Sequence, residues 1–464
     1  MTTTSPAAPP RALSRRTVTG YALGSVATGG FGTLPGLVLA YYLTDTLGVA
    51  AGAAGLVVTM PKIWDVLVNP FVGARSDASA ARRGSRRPFL LAGAATLPLL
   101  FALVFATPRA LSGGGAAAWV VGTFLLAATA YAVFQVPYIA LPAEIAPRYE
   151  LRTRLLAPRI AVLAVAILAF GAGGPLVRDA VGGGRAGYAV MGVVAGVAIG
   201  LGMLGAWWGA PRRAAVEDRA PETAAEGESS AADAWRQGFA VLRESRPFRV
   251  LLAAFVLQAL ATGGMLAGAQ YVATYTLGDE SAVTFLFVAL VAPALVVMPV
   301  ATRLARRVGK RTALLGASTL FAVAALSLLP ARWAPGGWVY VSVALAGVAY
   351  AGMQLYPLAM LPDVVAVDAR ERGADRAGVL GGVWTAGETA GLALGPALVL
   401  GLLALTGFVS HTGTDAVPQP AAALTGIVVA FSVLPAVLVA ASLVPILRYP
   451  LTAAVVDDHE EVRP

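Results

Sequence analysis

The chain has no cysteine, so disulfide bridges and thiolate metal sites are excluded. Histidine is almost as scarce. His411 and His459 both fall outside the long apolar runs, which removes a histidine proton relay from those runs. Lysine occurs only at Lys62 and Lys310 against 32 arginines, a skew that matches the composition of a GC-rich coding sequence rather than any chemistry. Charge of both signs is thin: 13% of residues are charged, where a soluble domain carries about 25%. There is no G-x-x-x-x-G-K-[S/T] phosphate loop, no soluble stretch long enough to hold a nucleotide and no zinc-ligand cluster. Neither an enzyme nor a nucleotide-driven pump is expected, and no resident metal or organic cofactor.

What is present is apolar length. Of 464 residues, 58% are hydrophobic. An aqueous fold of this size has too few solubilising groups to hide that surface, and lipid as solvent removes the difficulty. A helix needs about 20 apolar residues to cross the hydrocarbon. Such runs lie at 18–43, 51–73, 89–108, 117–140, 159–178 and 187–209, and again at 248–275, 281–302, 312–330, 338–361, 378–405 and 422–447. The expectation is an all-α membrane protein of twelve transmembrane helices.

The net charge of +9 sits in short clusters between apolar runs, which is a topology pattern and not a nucleic-acid patch. One alternate set of loops, with both chain ends, carries 29 Lys and Arg; the other carries Arg109, Arg178, Arg185 and Arg332. Lys62 alone lies inside a run. By the positive-inside rule both termini are cytoplasmic in an inner, or cell, membrane. The basic, Pro/Ala-rich start, 1–17, reads as a disordered cytoplasmic tail, because the apolar run behind it is longer than a signal-peptide core.

The two halves echo each other. 82-RRGSRRPFLLAGA-94 follows the second run and 306-RRVGKRTALLGAS-318 the eighth. 131-YAVFQVPYIALPAE-144 ends the fourth run and 350-YAGMQLYPLAMLPD-363 the tenth. Matched pairs six runs apart imply two six-helix pseudo-symmetric bundles, 18–209 and 248–447, the plan of the major facilitator fold. Between them, 210–247 holds the acidic, low-complexity 217-EDRAPETAAEGESSAAD-233, a cytoplasmic linker. Trp235, Phe239 and Leu242 recur at helical spacing near its end and predict an interfacial helix. The remainder, 448–464, is a cytoplasmic tail. Gly192, Gly196 and Gly200, and Gly387, Gly391 and Gly395, are spaced for close helix approach.

The stretch 41-YYLTDTLGVAAGAAGLVVTMPKIWDVLVNPFVGARSD-77 carries Tyr41-Tyr42-x-Thr44-Asp45, Trp64-Asp65, Asn69-Pro70, Gly73 and Asp77. An Arg-Arg-Pro lead into the third run, Pro137-Tyr138, and Arg246-Pro247-Phe248 before the seventh run accompany them. Over nearly the whole chain this resembles the glycoside–pentoside–hexuronide:cation symporters, the melibiose permease family. The resemblance implies uptake of a sugar or glycoside driven by sodium, lithium or protons. It places Asp65 on the family's cation-site aspartate and Asn69 on the second one. Gly29 and Gln135 fall where the family has aspartates in the first and fourth helices, and Glu388 where it has a lysine in the eleventh. The same broader group includes lysolipid carriers, so export or carriage of a lipid-like cargo is the alternative.

The embedded polar residues speak independently. A charge at the bilayer centre costs at least about 2.5–3.5 kcal/mol, so it is functional by default. Lys62, Asp65 and Glu388 are the clearest cases. Lys62, Asp65 and Asn69 share one helix face. Either Asp65 receives the coupling cation, H+ or Na+, with Asn69 as an oxygen ligand, or Lys62 and Asp65 form a structural ion pair. One carboxylate with a neutral neighbour favours the proton. Glu388 has no opposite charge near in sequence, so it either couples protons too or faces a watery cavity without doing so. Tyr131, Gln135, Gln258, Gln270, Tyr350 and Gln354, with Trp64 and Trp384, are the candidate cavity set, pointing together to a polar, neutral small molecule. Asp77 with Arg82, Arg83, Arg86 and Arg87 resembles the superfamily's cytoplasmic gate loop. Nothing requires a second copy, so a monomer is expected.

Overall fold

The computed structural model describes residues 13–145, 149–211, 240–372, 376–412 and 417–451. Trp235, Phe239, the acidic stretch 217–233, the first twelve residues and His459 lie outside them. Among the described residues twelve helices are long and apolar enough to cross a membrane, as the sequence predicts. In the first half they are α1 (Arg15–Thr46), α2 (Ala51–Arg83), α3 (Arg87–Phe105), α4 (Gly113–Ile145), α5 (Tyr149–Ala180) and α6 (Gly184–Gly209). In the second they are α7 (Arg246–Leu277), α8 (Ala282–Val308), α9 (Lys310–Arg332), α10 (Trp338–Arg372), α11 (Ala377–Leu405) and α12 (Ala421–Leu447). Several outrun their apolar core by a few turns, carrying charged residues out at one end. Pro88 and Pro247 open α3 and α7 in the first turn, where a missing N–H leaves nothing unpaired.

Packing repeats with the sequence. In the first half α3 packs on α4 and α6, α1 on α5 and α6, and α2 on α4. In the second, α9 packs on α10 and α12, α7 on α11 and α12, and α8 on α10. Each pair recurs six helices later, so the two bundles are copies of one design. They meet through α2 with α11, α5 with α8, and α1 with α7, pairings that a pseudo-two-fold axis requires. We call the end bearing the arginine-rich loops the basic end and the other the far end. The described part of the predicted interfacial helix does more than lie flat. Val241 is buried against the C-terminal bundle beside Phe248 and Leu251, and Leu242 packs on the same cluster.

The glycine spacings are seams. A Cβ on Gly196 would sit 2.5 Å from the Pro98 carbonyl oxygen of α3. One on Gly395 would sit 2.5 Å from both the Gly264 nitrogen and the Leu260 carbonyl oxygen of α7. Backbone cannot step aside as a flexible side chain does, and overpacking costs about 1–3 kcal/mol or more. Gly395→Leu is therefore expected to lower the unfolding temperature of the detergent-purified protein, whereas Gly401→Leu, whose Cβ meets nothing within 4 Å, leaves it unchanged.

Candidate functional site

Between described residues, every hydrogen bond joining the two bundles lies toward the far end. Close glycine contacts agree: Gly52 and Gly55 of α2 meet Ala404, Leu400 and Ala397 of α11, all in the far-end halves of their helices. Asp65, Tyr131, Gln135, Gln258, Tyr350 and Glu388 all lie on the basic side of these contacts along their helices.

The N-terminal group stands on α1, α2, α4 and α5. Asp65 stands half-buried on α2 with Oδ1 unpartnered. No Lys62–Asp65 ion pair forms among the described residues, so the structural-pair alternative is not realised, although the two charges lie close enough to interact. Asn69 is exposed one turn on. The Tyr131 ring stacks on Phe31 at 4.2 Å, and its phenol lies within electrostatic reach of Asp65. Gln135 accepts from Thr28 Oγ1 at 3.1 Å, and Trp64 Nε1 donates to Thr129 Oγ1 at 2.9 Å. Arg159 of α5, counted in the sequence only as a loop cation, instead faces the Tyr21 and Tyr138 rings at 5.9 and 5.5 Å with Nε unpartnered.

In the C-terminal bundle, Gln258, Tyr350, Gln354 and Glu388 come together with Phe255 and Thr262 around a narrow recess. Gln354 Nε2 donates to the Tyr350 oxygen at 2.7 Å. Glu388 is half-buried, near Tyr350, without a hydrogen bond or ion pair among the described residues.

Two residues of the candidate cavity set lie elsewhere. Trp384 is buried and stacks on Phe255 at 4.4 Å, so its ring is spent on a helix contact and does not offer a face to the cavity. Gln270 has no exposed surface and belongs to the far-end seal described next. The contacts described for the gate arginines stay within the N-terminal bundle. Arg86 donates to Ser76 Oγ at 2.8 Å, Arg87 lies over Trp207 at 4.5 Å, Arg82 reaches Ala78 O at 3.3 Å, and Arg83 is exposed. The side chain of Asp77 lies outside the described residues. In the second half Lys310 occupies the place of Arg86 and binds Asp363 at 2.6 Å.

The far-end seal was not foreseen. Arg178 of α5 is 1% exposed and donates to Asp179 at 2.7 Å, to Gln270 of the other bundle at 2.9 Å and to Tyr188 at 3.2 Å. Glu280 is 4.0 Å from the same guanidinium and accepts from Tyr41 at 3.0 Å. Asp45 accepts from Thr44 and from Tyr275, and His411 Nδ1 lies 3.8 Å from its carboxylate. Thr44 also bonds Tyr271 at 2.8 Å, and the His411 N–H donates to the Thr44 carbonyl at 3.0 Å. A signal for this was present. Tyr-x-x-Thr-x-Thr-Leu-Gly occurs at 41–48 and again at 271–278. Both copies wind into a π-helical turn, over Tyr42–Thr46 and Ala273–Leu277. Each turn ends on a glycine with φ of +68° or +74°, a conformation glycine adopts without penalty. Tyr41 and Tyr271, equivalent residues, meet edge to face at 5.4 Å.

A family profile described as MFS/sugar transport protein matches residues 20–453. Over 448 residues the chain is 27% identical to the uncharacterized symporter YnaJ of Bacillus subtilis (strain 168), covering 93% of this chain and 91% of that one. Over 147 residues it is 34% identical to the glucuronide carrier protein homolog of Escherichia coli (strain K12), a stretch that spans 32% of each chain. Its fold is shared with the nucleoside transporter NupG, at a TM-score of 0.65 and 13% identity over 94% of this chain and all of that one. This chain belongs to the MFS/sugar transport protein family, the part of the major facilitator superfamily that includes the glycoside–pentoside–hexuronide:cation symporters.

Proposed function

We propose that the protein is a secondary active symporter that carries a sugar or glycoside with a cation by alternating access, held here open toward the cytoplasm. The observation that carries this reading is the pair of carboxylates without ion-pair partners among the described residues, Asp65 and Glu388, one in each bundle on the basic side of the far-end seal. Structural burial alone gives no return for such charges, whereas a translocation route does. The basic end is the cytoplasmic side, by the positive-inside rule, and both termini lie there in the cell membrane.

Asp65 is the coupling group. It is a single carboxylate beside an exposed Asn69, with no second acid among the described residues to complete an oxygen cage. Sodium needs several oxygen ligands, a proton needs one, so the proton is the coupling ion. The sugar assignment draws on the relatives' names and on a cavity rich in Gln, Tyr and Thr, which suits hydroxyl groups better than an acyl chain. The protein acts as a monomer. Purified protein in proteoliposomes is expected to accumulate a labelled sugar under an imposed inward pH gradient, and not under a sodium gradient alone. Equal uptake with no gradient would reject symport, and sodium-only uptake would reject the proton.

A further inference from the structure

We propose that the recess around Glu388 binds a protonated amine, so that the substrate is an amino sugar or an amine-bearing glycoside. This rests on the sugar-symport reading and narrows it.

The argument is a count of donors and acceptors. Ser318 Oγ donates to Leu314 O at 2.8 Å, and Ser442 Oγ donates to Val439 O at 2.6 Å, so both hydroxyl protons are committed to their own helices. Each serine oxygen is left as an acceptor. Gln258 therefore must turn its Nε2 toward them, at 3.0 and 3.3 Å, because its carbonyl oxygen would find no donor there. That fixes the amide orientation. Gln258 Oε1 is left buried with no partner, on a residue 2% exposed that lines the recess. Thr262 spends its proton on the Gln258 backbone carbonyl at 2.9 Å and offers only lone pairs. Tyr350 accepts from Gln354 and keeps one O–H.

The recess thus presents a carboxylate, the orphan Gln258 amide oxygen, the Gln354 amide oxygen and a hydroxyl lone pair against one phenol proton and the second Gln354 N–H, with no positive charge among them. No Lys, Arg or His lines it. A neutral hydroxyl supplies a hydrogen bond but no charge, and a carboxylate sharing a partly dry recess with an uncompensated acceptor is costly. An ammonium group supplies three N–H donors and the missing positive charge at once. The recess has room for little more than one water-sized group, so it takes the ammonium itself while the sugar ring stays outside it.

The test is binding of D-glucosamine, D-glucose and N-acetyl-D-glucosamine, with the galactose series in parallel, to the purified full-length protein at pH 6. The N-acetyl sugars keep the nitrogen and lose the charge. The amines are expected to bind about tenfold more tightly than both neutral counterparts. In Glu388→Gln the ratio of amine to neutral affinity falls to about one. If neutral sugars bind the wild-type protein as tightly as the amines, the amine assignment is overturned and the sugar reading stands. If no sugar in either series binds, the sugar reading falls as well. A preference that survives in Glu388→Gln removes the recess as its cause.

Discussion

Replacing Asp65 with Asn is expected to abolish gradient-driven accumulation while substrate exchange continues. One cation carried per sugar draws about 2.3 kcal/mol from each 100 mV of membrane potential, which supports roughly 50-fold accumulation. Asparagine is nearly isosteric with aspartate, so the wall formed with Tyr131 and Phe31 keeps its shape. What it loses is a group that takes up charge on one side and releases it on the other. The internal sugar concentration in Asp65→Asn proteoliposomes then rises only to the external value, about one-fiftieth of the wild-type ceiling at that potential. Counterflow, in which preloaded sugar exchanges with labelled sugar, needs no net cation movement and persists. Accumulation above the external level in the variant would remove Asp65 from the coupling role. Loss of counterflow as well would mean that the residue shapes the sugar site instead.

The second large effect is expected at the far end. Arg178 is buried among Asp179, Tyr188, Gln270 and Glu280. Arg178→Met keeps the length and removes the charge, stranding two carboxylates and an amide oxygen. Breaking a buried ion pair by deleting one partner costs about 3–5 kcal/mol. The part of that cost carried by Gln270 at 2.9 Å and Glu280 at 4.0 Å falls on the conformation in which the bundles meet here, because both belong to the other bundle, whereas Asp179 moves with Arg178 on one helix. A shift of roughly 5.5 kcal/mol is enough to take a two-state equilibrium from 1:99 to 99:1. The variant therefore spends far more time open to the outside. The absence of cysteine makes the measurement direct. Thr46, 4% exposed beside the seal, is replaced by cysteine, and its reaction with a membrane-impermeant maleimide is timed in whole cells. Labelling is expected to accelerate at least about tenfold in the Arg178→Met background. An unchanged rate would show that other contacts hold this end closed.

The two findings differ in how well the chain advertises them. The helices were legible because length and apolarity suffice to define a span, and because Arg-rich loops mark one side. The duplicated bundles followed from 82–94 and 306–318. Asp65 and Glu388 stood out because charge inside an apolar run is rare. Orientation about the helix axis was not legible. Trp384 and Gln270 carry the same apolar surroundings as Tyr350 and Gln258, and only tertiary packing decides that Trp384 meets Phe255 and Gln270 meets Arg178. Lys62 and Asp65 have the spacing of an ion pair yet do not form one. The seal escaped for a different reason. Asp45, Arg178, Glu280 and His411 sit where helices emerge from their apolar stretches, and there a charge looks like an ordinary loop residue. Their burial arises when segments some 230 positions apart in the chain come together.

The matched turns at 41–48 and 271–278 also constrain how such a molecule arises. In a dimer of two identical half-chains, a residue near the symmetry axis faces its own copy. Position 45 would then meet another acid, or, if tyrosine stood there, another phenol. Two acids repel and neither donates when ionised. Covalent joining of the halves frees the copies to diverge, so that Asp45 accepts from Tyr275, the residue at its own matching place. A donor opposite an acceptor on the axis is a contact that only two unequal halves can hold.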